Sequence, residues 1–298
     1  MPSPQMQEVI NRLRQRRETP SGQPPQTYEE ILGPYSLADQ VNPLPADVSV
    51  TDLNADGVPA HWLHIPNAGD GRVLMFVHGG GYSLGSLRSD GELAAQIGRA
   101  AEMHVFFPEY RLAPEHLFPA AFDDVLASWQ WLRAVRGVAA ESVVLAGDSA
   151  GSGLTLALLQ TLRDAGDSLP AGAVLISPLL DLTASGASII ERADEDLVFT
   201  PDLIKSMAPT YLGDADPKTP AASPLFGSMA GLPPLLVQVG SAELLLSDSE
   251  RLASAAAEAG VDITLHVGEG LPHVYQAAVA TPEAVSAMRQ IADFIRRL

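Results

Sequence analysis

Short apolar runs that alternate with helix-like stretches constrain the fold of this chain more than any other feature of its sequence. Helices are expected between most of these runs, at about 92–101, 121–135, 154–162 and 249–259, with a last helix at about 283–295. Strands that alternate with helices favour a mostly parallel sheet, and unbroken apolar strands indicate that both of its faces are covered. The predicted fold class is therefore α/β, with strands at Val73–Val77, Val105–Phe107, Val143–Ala146, Ala173–Ile176, Leu235–Val239 and Ile263–Val267.

An antiparallel hairpin is predicted ahead of this alternation. Val48–Leu53 and Pro59–Ile65 flank the dipeptide Asp56-Gly57, and Asp-Gly between two apolar runs is a strong signal for a tight hairpin turn. Residues 46–298 are therefore expected to form one large domain that starts with this hairpin.

Two segments lie outside the regular pattern. Residues 181–232 contain no convincing strand and are rich in Pro, Ser and Asp, as an insertion between two strands on the side of their carboxyl ends would be. We interpret residues 1–45 as a helical cap segment, with a frayed tail as the alternative. The evidence for a helix near the start is four apolar residues at helical spacing: Met6, Val9, Ile10 and Leu13.

The charge balance and the lack of cysteine exclude several classes of protein. With 18 Lys and Arg residues against 36 Asp and Glu residues, the formal net charge is −18, which repels phosphate backbones and anionic lipid headgroups. No cysteine is present, so disulfides and thiolate chemistry are excluded. The start of the chain lacks the apolar core of a signal peptide, and no run is long enough to span a bilayer. We therefore expect a cytoplasmic protein without nucleic acid or membrane partners.

The sequence Gly147-Asp148-Ser149-Ala150-Gly151 predicts that Ser149 is a nucleophile. It follows a predicted strand and precedes a predicted helix, the context in which Gly-x-Ser-x-Gly forms a nucleophile elbow. Glycines two positions before and after the serine remove side chains that would collide in so sharp a turn. The amino terminus of the following helix would favour developing negative charge. A chance glycine-rich turn is the alternative interpretation.

Glycines after an earlier strand predict an oxyanion hole. His78-Gly79-Gly80-Gly81 follows the first apolar run of the alternation, and a tetrahedral acyl intermediate needs backbone N–H groups close to its charged oxygen. We assign the donors to Gly80, Gly81 and Ala150, with Gly79 as an alternative. No Lys-Ser or Lys-Thr follows the glycines, so a phosphate-binding P-loop is not supported. His78 is expected to brace this loop by hydrogen bonds rather than to act as the base.

The order of a triad in this kind of fold, serine then acid then histidine, selects the general base. Only His266 and His273 lie after Ser149. His266 falls inside the predicted strand Ile263–Val267, whereas His273 lies in the loop beyond it, where a base can reach the serine. We therefore predict His273 as the base.

The acid is expected in the loop that follows the strand Leu235–Val239, where Glu243 and Asp248 both occur. A carboxylate there would hold the imidazole tautomer and stabilise the imidazolium. Glu243 lies four residues beyond the strand, whereas Asp248 could instead start the next helix as its N-cap. Glu243 is therefore the predicted acid and Asp248 the alternative.

These motifs together resemble the bacterial hormone-sensitive-lipase-like esterases, a family of the α/β-hydrolase superfamily. The resemblance implies an eight-stranded, mostly parallel sheet flanked by helices, with a helical cap built from residues 1–45 and the insertion 181–232. It also implies hydrolysis of short- to medium-chain carboxylic esters through an acyl-enzyme, without cofactor or metal. Many members carry Asp-Pro-Leu where this chain has Glu243-Leu244-Leu245. The segments that carry the resemblance are His78–Tyr82, Tyr110–His116, Gly147–Gly151, Ser177–Leu182 and Gly270–His273.

Several activities share such a triad, so the sequence leaves alternatives open. Lactonase, amidase, formamidase and peptidase activities need the same residues, and an acyltransferase would differ in its preferred acceptor. A non-catalytic small-ligand receptor on this fold usually lacks a triad member, whereas all three are present here. The last helix or an edge strand could support a homodimer. Candidates to line a pocket for a small ester, with ordinary cap packing as the alternative, are Tyr28, Tyr82, Met207 and Tyr211.

Overall fold

An eight-stranded sheet forms the centre of the molecule in the computed structural model, which describes residues 1–18 and 43–298. Its strands are β1 (Ser49–Ala55), β2 (Val58–His64), β3 (Gly69–Val77), β4 (Met103–Pro108), β5 (Val143–Asp148), β6 (Gly172–Ile176), β7 (Leu235–Gly240) and β8 (Ile263–Gly268). They lie side by side in the order β1-β2-β4-β3-β5-β6-β7-β8. The β1–β2 hairpin and the β2–β4 pair are antiparallel, and all other pairs are parallel. The predicted mostly parallel sheet is confirmed.

Helices cover both faces of this sheet. Those among the described residues are α1 (Pro4–Glu18), α2 (Leu87–Ala101), α3 (Ala120–Ala134), α4 (Ser149–Ala165), α5 (Ser188–Glu191), α6 (Pro201–Leu212), α7 (Leu246–Glu258) and α8 (Pro282–Arg297). Leu74 and Phe76 of β3 pack with residues of α2 and α8, whereas Met75 and Val77 pack with residues of α3, α4 and α7. Alternate side chains of one strand thus enter two separate cores, which explains its unbroken apolar sequence.

Short polar side chains fix where several helices begin. The Ser86 side chain accepts a hydrogen bond from the Arg88 N–H and forms a capping box with Ser89, so α2 starts before the expected residue 92. Thr281 accepts from the Ala284 N–H at the start of α8, with proline at the first helical position.

The N-terminal helix packs onto the last helix of the chain. Both oxygens of Glu283 on α8 accept hydrogen bonds from Ser3. Met6 and Ile10 of α1 are buried in a small cluster with Leu271, Tyr275 and Ala287. The predicted N-terminal helix is therefore present. The rest of the N-terminal cap prediction, which includes Tyr28, lies largely outside the described residues.

The connection between β6 and β7 has the character expected of an insertion. Residues 181–232, all of which the structure describes, contain α5, α6 and a 3₁₀ turn at Pro224–Phe226 but no strand. The assignment of this segment and of residues 1–45 to a cap stays a prediction.

Candidate active site

Ser149 lies at the carboxyl end of β5, where α4 begins. Its φ is +49°, in the left-handed region that side-chain-bearing residues rarely adopt. A Cβ on Gly147 would lie 2.7 Å from the backbone of Gly151, and a Cβ on Gly151 would collide with the carbonyl oxygen of Val77. The turn therefore requires glycine on both sides of the serine, as the predicted elbow does.

The glycine-rich loop after β3 lies against this elbow. Gly80 and Gly81 have φ values of +103° and +60°, which glycine adopts without strain. The Gly79 N–H donates to Oδ1 of Asp148 at 2.9 Å. Because that N–H is engaged by a carboxylate, the geometry favours the assignment of Gly80, Gly81 and Ala150 over the alternative of Gly79.

His78 supports the loop through its ring. Its imidazole is stacked between Tyr110 and Phe107, with ring centroids 4.1 Å and 5.6 Å away. The Tyr110 hydroxyl donates to the His78 carbonyl oxygen at 2.8 Å. The next residue, Arg111, forms a two-point ion pair with Asp124. His78 is fully buried, and its Nδ1 lies 2.8 Å from the carbonyl oxygen of Gly79, as a histidine that braces the loop by a hydrogen bond would.

Glu243 and His273 are in direct contact. Oε2 of Glu243 lies 2.6 Å from Nδ1 of His273. The other oxygen, Oε1, accepts hydrogen bonds from the Gly240 N–H at 2.6 Å and from the Ser177 hydroxyl at 2.8 Å. The carboxylate is completely buried, and these donors compensate for the water it has lost.

Ser177 contributes hydrogen bonds to the candidate site, and the sequence did not reveal this role. Its hydroxyl accepts from the Val274 N–H at 3.0 Å while it donates to Glu243, so it joins the acid to the residue after His273. It lies in Ser177–Leu182, a segment that matched the esterase family without a role assigned to this serine.

Asp248 occupies a different environment. Its Oδ2 accepts from the N–H groups of Leu180 and Asp181 at 2.8 Å and 3.1 Å, and Oδ1 is 3.8 Å from Arg251. Burial raises the pKa of the Asp248 carboxyl to about 7. Asp248 lies inside the first turn of α7, whose N-cap is Leu245, so its suggested N-cap role is wrong. The structure brings Glu243 to His273 and does not bring Asp248 there.

The three predicted triad residues share one edge of the sheet. Ser149, Glu243 and His273 follow β5, β7 and β8 respectively, and the carboxyl ends of parallel strands lie at a common edge. The loop after β6 connects them, since the Leu179 N–H donates to the Ser149 carbonyl oxygen at 3.1 Å and Ser177 donates to Glu243.

The predicted pocket residues are tightly packed. The rings of Tyr82 and Tyr211 lie parallel, with centroids 3.9 Å apart. Both rings and Met207 of α6 are almost completely buried and belong to the same apolar core. Ordinary packing explains these contacts, so a role in lining the ester pocket stays a prediction.

Within residues 1–18 and 43–298, no three His, Asp or Glu side chains are grouped as ligands of a metal ion would be. No helix in the same ranges has both the length and the apolar character that crossing a bilayer demands.

A parallel sheet covered by helices, with a serine elbow at its carboxyl edge, defines an α/β hydrolase, and residues 74–277 match the family model described as alpha/beta hydrolase fold. Within that class, the chain belongs to the bacterial hormone-sensitive lipase family. It is 40% identical, with a TM-score of 0.93, to the crystal structure of an esterase from that family, and the match covers 100% of this chain and 99% of the other.

Two curated relatives extend this comparison. An acetyl-hydrolase of Streptomyces hygroscopicus is 45% identical over 239 residues, which are 80% of this chain and 79% of that protein. An esterase of Acinetobacter venetianus is 36% identical over 229 residues, or 76% of this chain and 75% of that protein. The family resemblance that the motifs carried is confirmed.

Proposed function

We propose that this protein is a serine carboxylesterase that hydrolyses short- to medium-chain carboxylic esters through an acyl-enzyme on Ser149. The observation that carries the proposal is the 2.6 Å contact between His273 and Glu243, at the sheet edge where the Ser149 elbow lies. The names of its relatives, esterase and acetyl-hydrolase, support the same reaction.

The mechanism is two-step acyl transfer. With Nδ1 held by Glu243, Nε2 of His273 takes the proton of Ser149 as Oγ attacks the ester carbonyl carbon. The N–H groups of Gly80, Gly81 and Ala150 stabilise the oxyanion. His273 then gives the proton to the leaving alcohol. A water molecule repeats the sequence and releases the carboxylic acid.

The nucleophile is tested with a serine-directed phosphonate probe and with Ser149→Ala. We expect one probe per chain on Ser149, and at least about a 10³-fold loss of kcat in Ser149→Ala without unfolding. The control is Ser254→Ala, which removes an exposed hydroxyl from α7 and should keep full activity. Substantial turnover by Ser149→Ala would show that another residue is the nucleophile.

The acid is tested by comparing Glu243→Gln with Asp248→Asn. The glutamine amide would disturb the bond to Nδ1 of His273, so we expect kcat to fall by about 10³–10⁴. Asp248→Asn should leave kcat/KM within a few-fold, because Asp248 is bonded to backbone N–H groups of the β6 loop. A nearly silent Glu243→Gln beside a crippled Asp248→Asn would reverse the assignment.

Substrate preference is the next question, since lactonase and amidase or formamidase activities use the same triad. A survey of matched esters, lactones and amides is expected to give the highest kcat/KM for esters with short or medium acyl chains. Dominant turnover of a lactone or an amide would replace the esterase assignment. Phosphonate labelling without turnover of any of these would favour a ligand-binding protein.

We also propose that residues 1–45 and 181–232 form a cap over this site. Leu271 and Tyr275, on either side of His273, pack against α1, and Phe199 of the insertion contacts the His273 ring. Tyr82, Met207 and Tyr211 are the proposed supports of the pocket beneath it.

Cellular location and assembly complete the proposal. A chain without cysteine suits the reducing cytoplasm, and cell fractionation tests that location. The edge strand β8 leaves Val267 44% exposed, which supports a homodimer; light scattering of the purified protein gives the assembly directly.

A further inference from the structure

Asp196 lies in the segment between α5 and α6, and its side chain is completely buried. Oδ1 accepts hydrogen bonds from the N–H groups of Val198 at 2.7 Å and Phe199 at 2.8 Å. Oδ2 accepts from the N–H of Leu244 at 2.8 Å. Leu244 directly follows the predicted acid, Glu243. One carboxylate therefore joins the β6–β7 insertion to the loop that carries the acid.

The same carboxylate also fixes the neighbour of His273. The Phe199 ring meets the imidazole edge to face, with centroids 4.6 Å apart and planes at 63°. The Phe199 backbone is held by Oδ1 of Asp196. The two oxygens of Asp196 thus position the residue after Glu243 and the ring that packs on His273.

A second set of bonds makes this junction rigid. The Ser188 hydroxyl donates to the carbonyl oxygen of Leu244, and the Ser188 N–H donates to the Ser247 hydroxyl at 2.8 Å. The backbone N–H and the backbone carbonyl oxygen of Leu244 are therefore both hydrogen-bonded to the insertion. Movement of the insertion would be transmitted directly to the acid loop.

Charges near His273 come from several elements. Burial raises the pKa of the Asp196 carboxyl, while its three N–H donors and the nearby imidazole oppose that rise. Other titratable groups around the loop that carries His273 include Glu243, Tyr275 and Glu283. A cavity of about 300 Å³ beside Pro272 is lined by Arg14, Asp194 and Glu195.

We propose that Asp196 is a positioning residue of this triad, which acts through Leu244 on Glu243 and through Phe199 on His273. The inference rests on the proposed function, because it assigns Asp196 a role in that triad. The buried carboxylate also adds negative charge close to the imidazolium that forms during acyl transfer, and so stabilises it.

The test replaces Asp196 by Asn. The new amide NH₂ must face at least one N–H donor, so one of the two links is lost along with the charge. We expect kcat to fall about tenfold or more with KM changed less than about threefold. The acid limb of the kcat/KM profile should move to lower pH by roughly half a unit to one unit, because the imidazolium loses a neighbouring charge.

The matched control is Asp194→Asn. Asp194 lies two residues away in the same segment but is exposed, so the same change in charge is screened by solvent. Its kcat and acid limb should stay unchanged. Asp196→Glu keeps the charge and should return the acid limb towards the wild-type position while kcat stays low. An unmoved acid limb in Asp196→Asn would overturn the proposal.

Phe199→Leu gives an independent test of the positioning role if Asp196→Asn does not fold. It keeps every bond of Asp196 and removes only the ring against His273, so kcat should fall several-fold with KM and the acid limb unchanged. Wild-type kcat in this variant would overturn the positioning role. Phosphonate labelling of the wild-type protein is run alongside: no labelling of Ser149 means that the esterase proposal fails, whereas normal labelling with wild-type behaviour of the variants means that only this inference fails.

Discussion

Buried carboxylates accept hydrogen bonds from backbone N–H groups at several points around the site, and three of these four bonds join separate segments of the chain. These bonds compensate for the loss of water. Burial nevertheless raises the pKa of Asp148, Asp196 and Asp248. Burial of these carboxyl groups at the edge of the sheet therefore lowers the stability of the folded protein when they are ionised. The pairs are Asp148 with Gly79, Asp196 with Leu244, Glu243 with Gly240 and Asp248 with Leu180.

Asp248 makes this cost measurable. The pKa of its carboxyl is raised from 3.8 to about 7 in the folded protein, so between these pH values the folded state holds a proton that the unfolded state releases. The contribution of the Asp248 carboxyl to the free energy of unfolding is fully present below its unfolded pKa of 3.8 and is lost as the pH rises to about 7. We expect Asp248→Asn, which keeps an oxygen acceptor, to be more stable relative to wild type at pH 8 than at pH 5 in urea unfolding.

Asp181 serves as the opposite case for the same experiment. Hydrogen bonds from Ser185, Thr183 and Arg251 lower the pKa of its carboxyl despite burial. This stabilisation is present above pH 3.8 and is lost as the pH falls through the lower folded pKa, so Asp181→Asn should cost more stability at pH 8 than at about pH 3. If the two variants changed with pH in the same direction, the assigned causes of these shifts would be wrong.

The glycines of the elbow give a steric prediction. Gly151→Ala should destabilise the protein by about 1–3 kcal/mol and reduce kcat, because its Cβ would collide with the carbonyl oxygen of Val77. In Gly71→Ala the new Cβ meets no heavy atom of the described residues within 4 Å, so its stability should stay within about 0.5 kcal/mol of wild type. Equal effects in denaturant unfolding would refute the steric explanation.

Local motifs predict candidate site residues, whereas contacts between distant segments leave no mark in a single sequence. Ser149 and His273 are marked by glycines and by strand order, which a single sequence contains. Ser177 and Asp196 are hydrogen-bonded to partners 66 and 48 residues away, and no local pattern marks such contacts. The crowding around Gly151 was predicted, but its main source, the carbonyl of Val77 on the neighbouring strand, follows only from the sheet order.

At the scale of elements, α1 is held mainly by one apolar stripe. Met6 is completely buried against α8 and the loop that carries His273. We expect Met6→Ala to release α1, so that limited proteolysis cuts within residues 1–18 sooner and kcat/KM falls several-fold. Glu8→Ala, an exposed change on the same helix, should leave both unchanged. Equal digestion of the two variants would argue against this docking and against the proposed cap.

Element positions followed from periodicity better than element boundaries did. All of the expected strands occur, and those of the parallel part of the sheet coincide with short runs that are mainly apolar. The start of α2 differs because Ser86 provides a capping side chain beyond the apolar pattern. Asp248 was a plausible N-cap from composition alone, yet α7 starts without a side-chain cap because this carboxylate binds the β6 loop instead.

At the scale of the whole molecule, the net charge of −18 opposes compaction. We expect the melting temperature at pH 7 to rise by a few degrees when NaCl is raised from about 10 to 200 mM, because salt screens this repulsion. Near the isoelectric point of about 4.6 the salt effect should largely disappear. A melting temperature that falls with salt at pH 7 would mean that specific ion pairs outweigh the general repulsion.

The docking of α1 on α8 has a consequence for synthesis on the ribosome. Ser3 is bonded to Glu283, 280 residues later in the chain, so the two bonded residues are made far apart in time. Helix α1 is made long before α8, and Met6 and Ile10 stay uncovered until α8 has left the ribosome. Enzymatic activity should therefore arise only after α8 has been made, which would make it a sensitive reporter of folding in the cell.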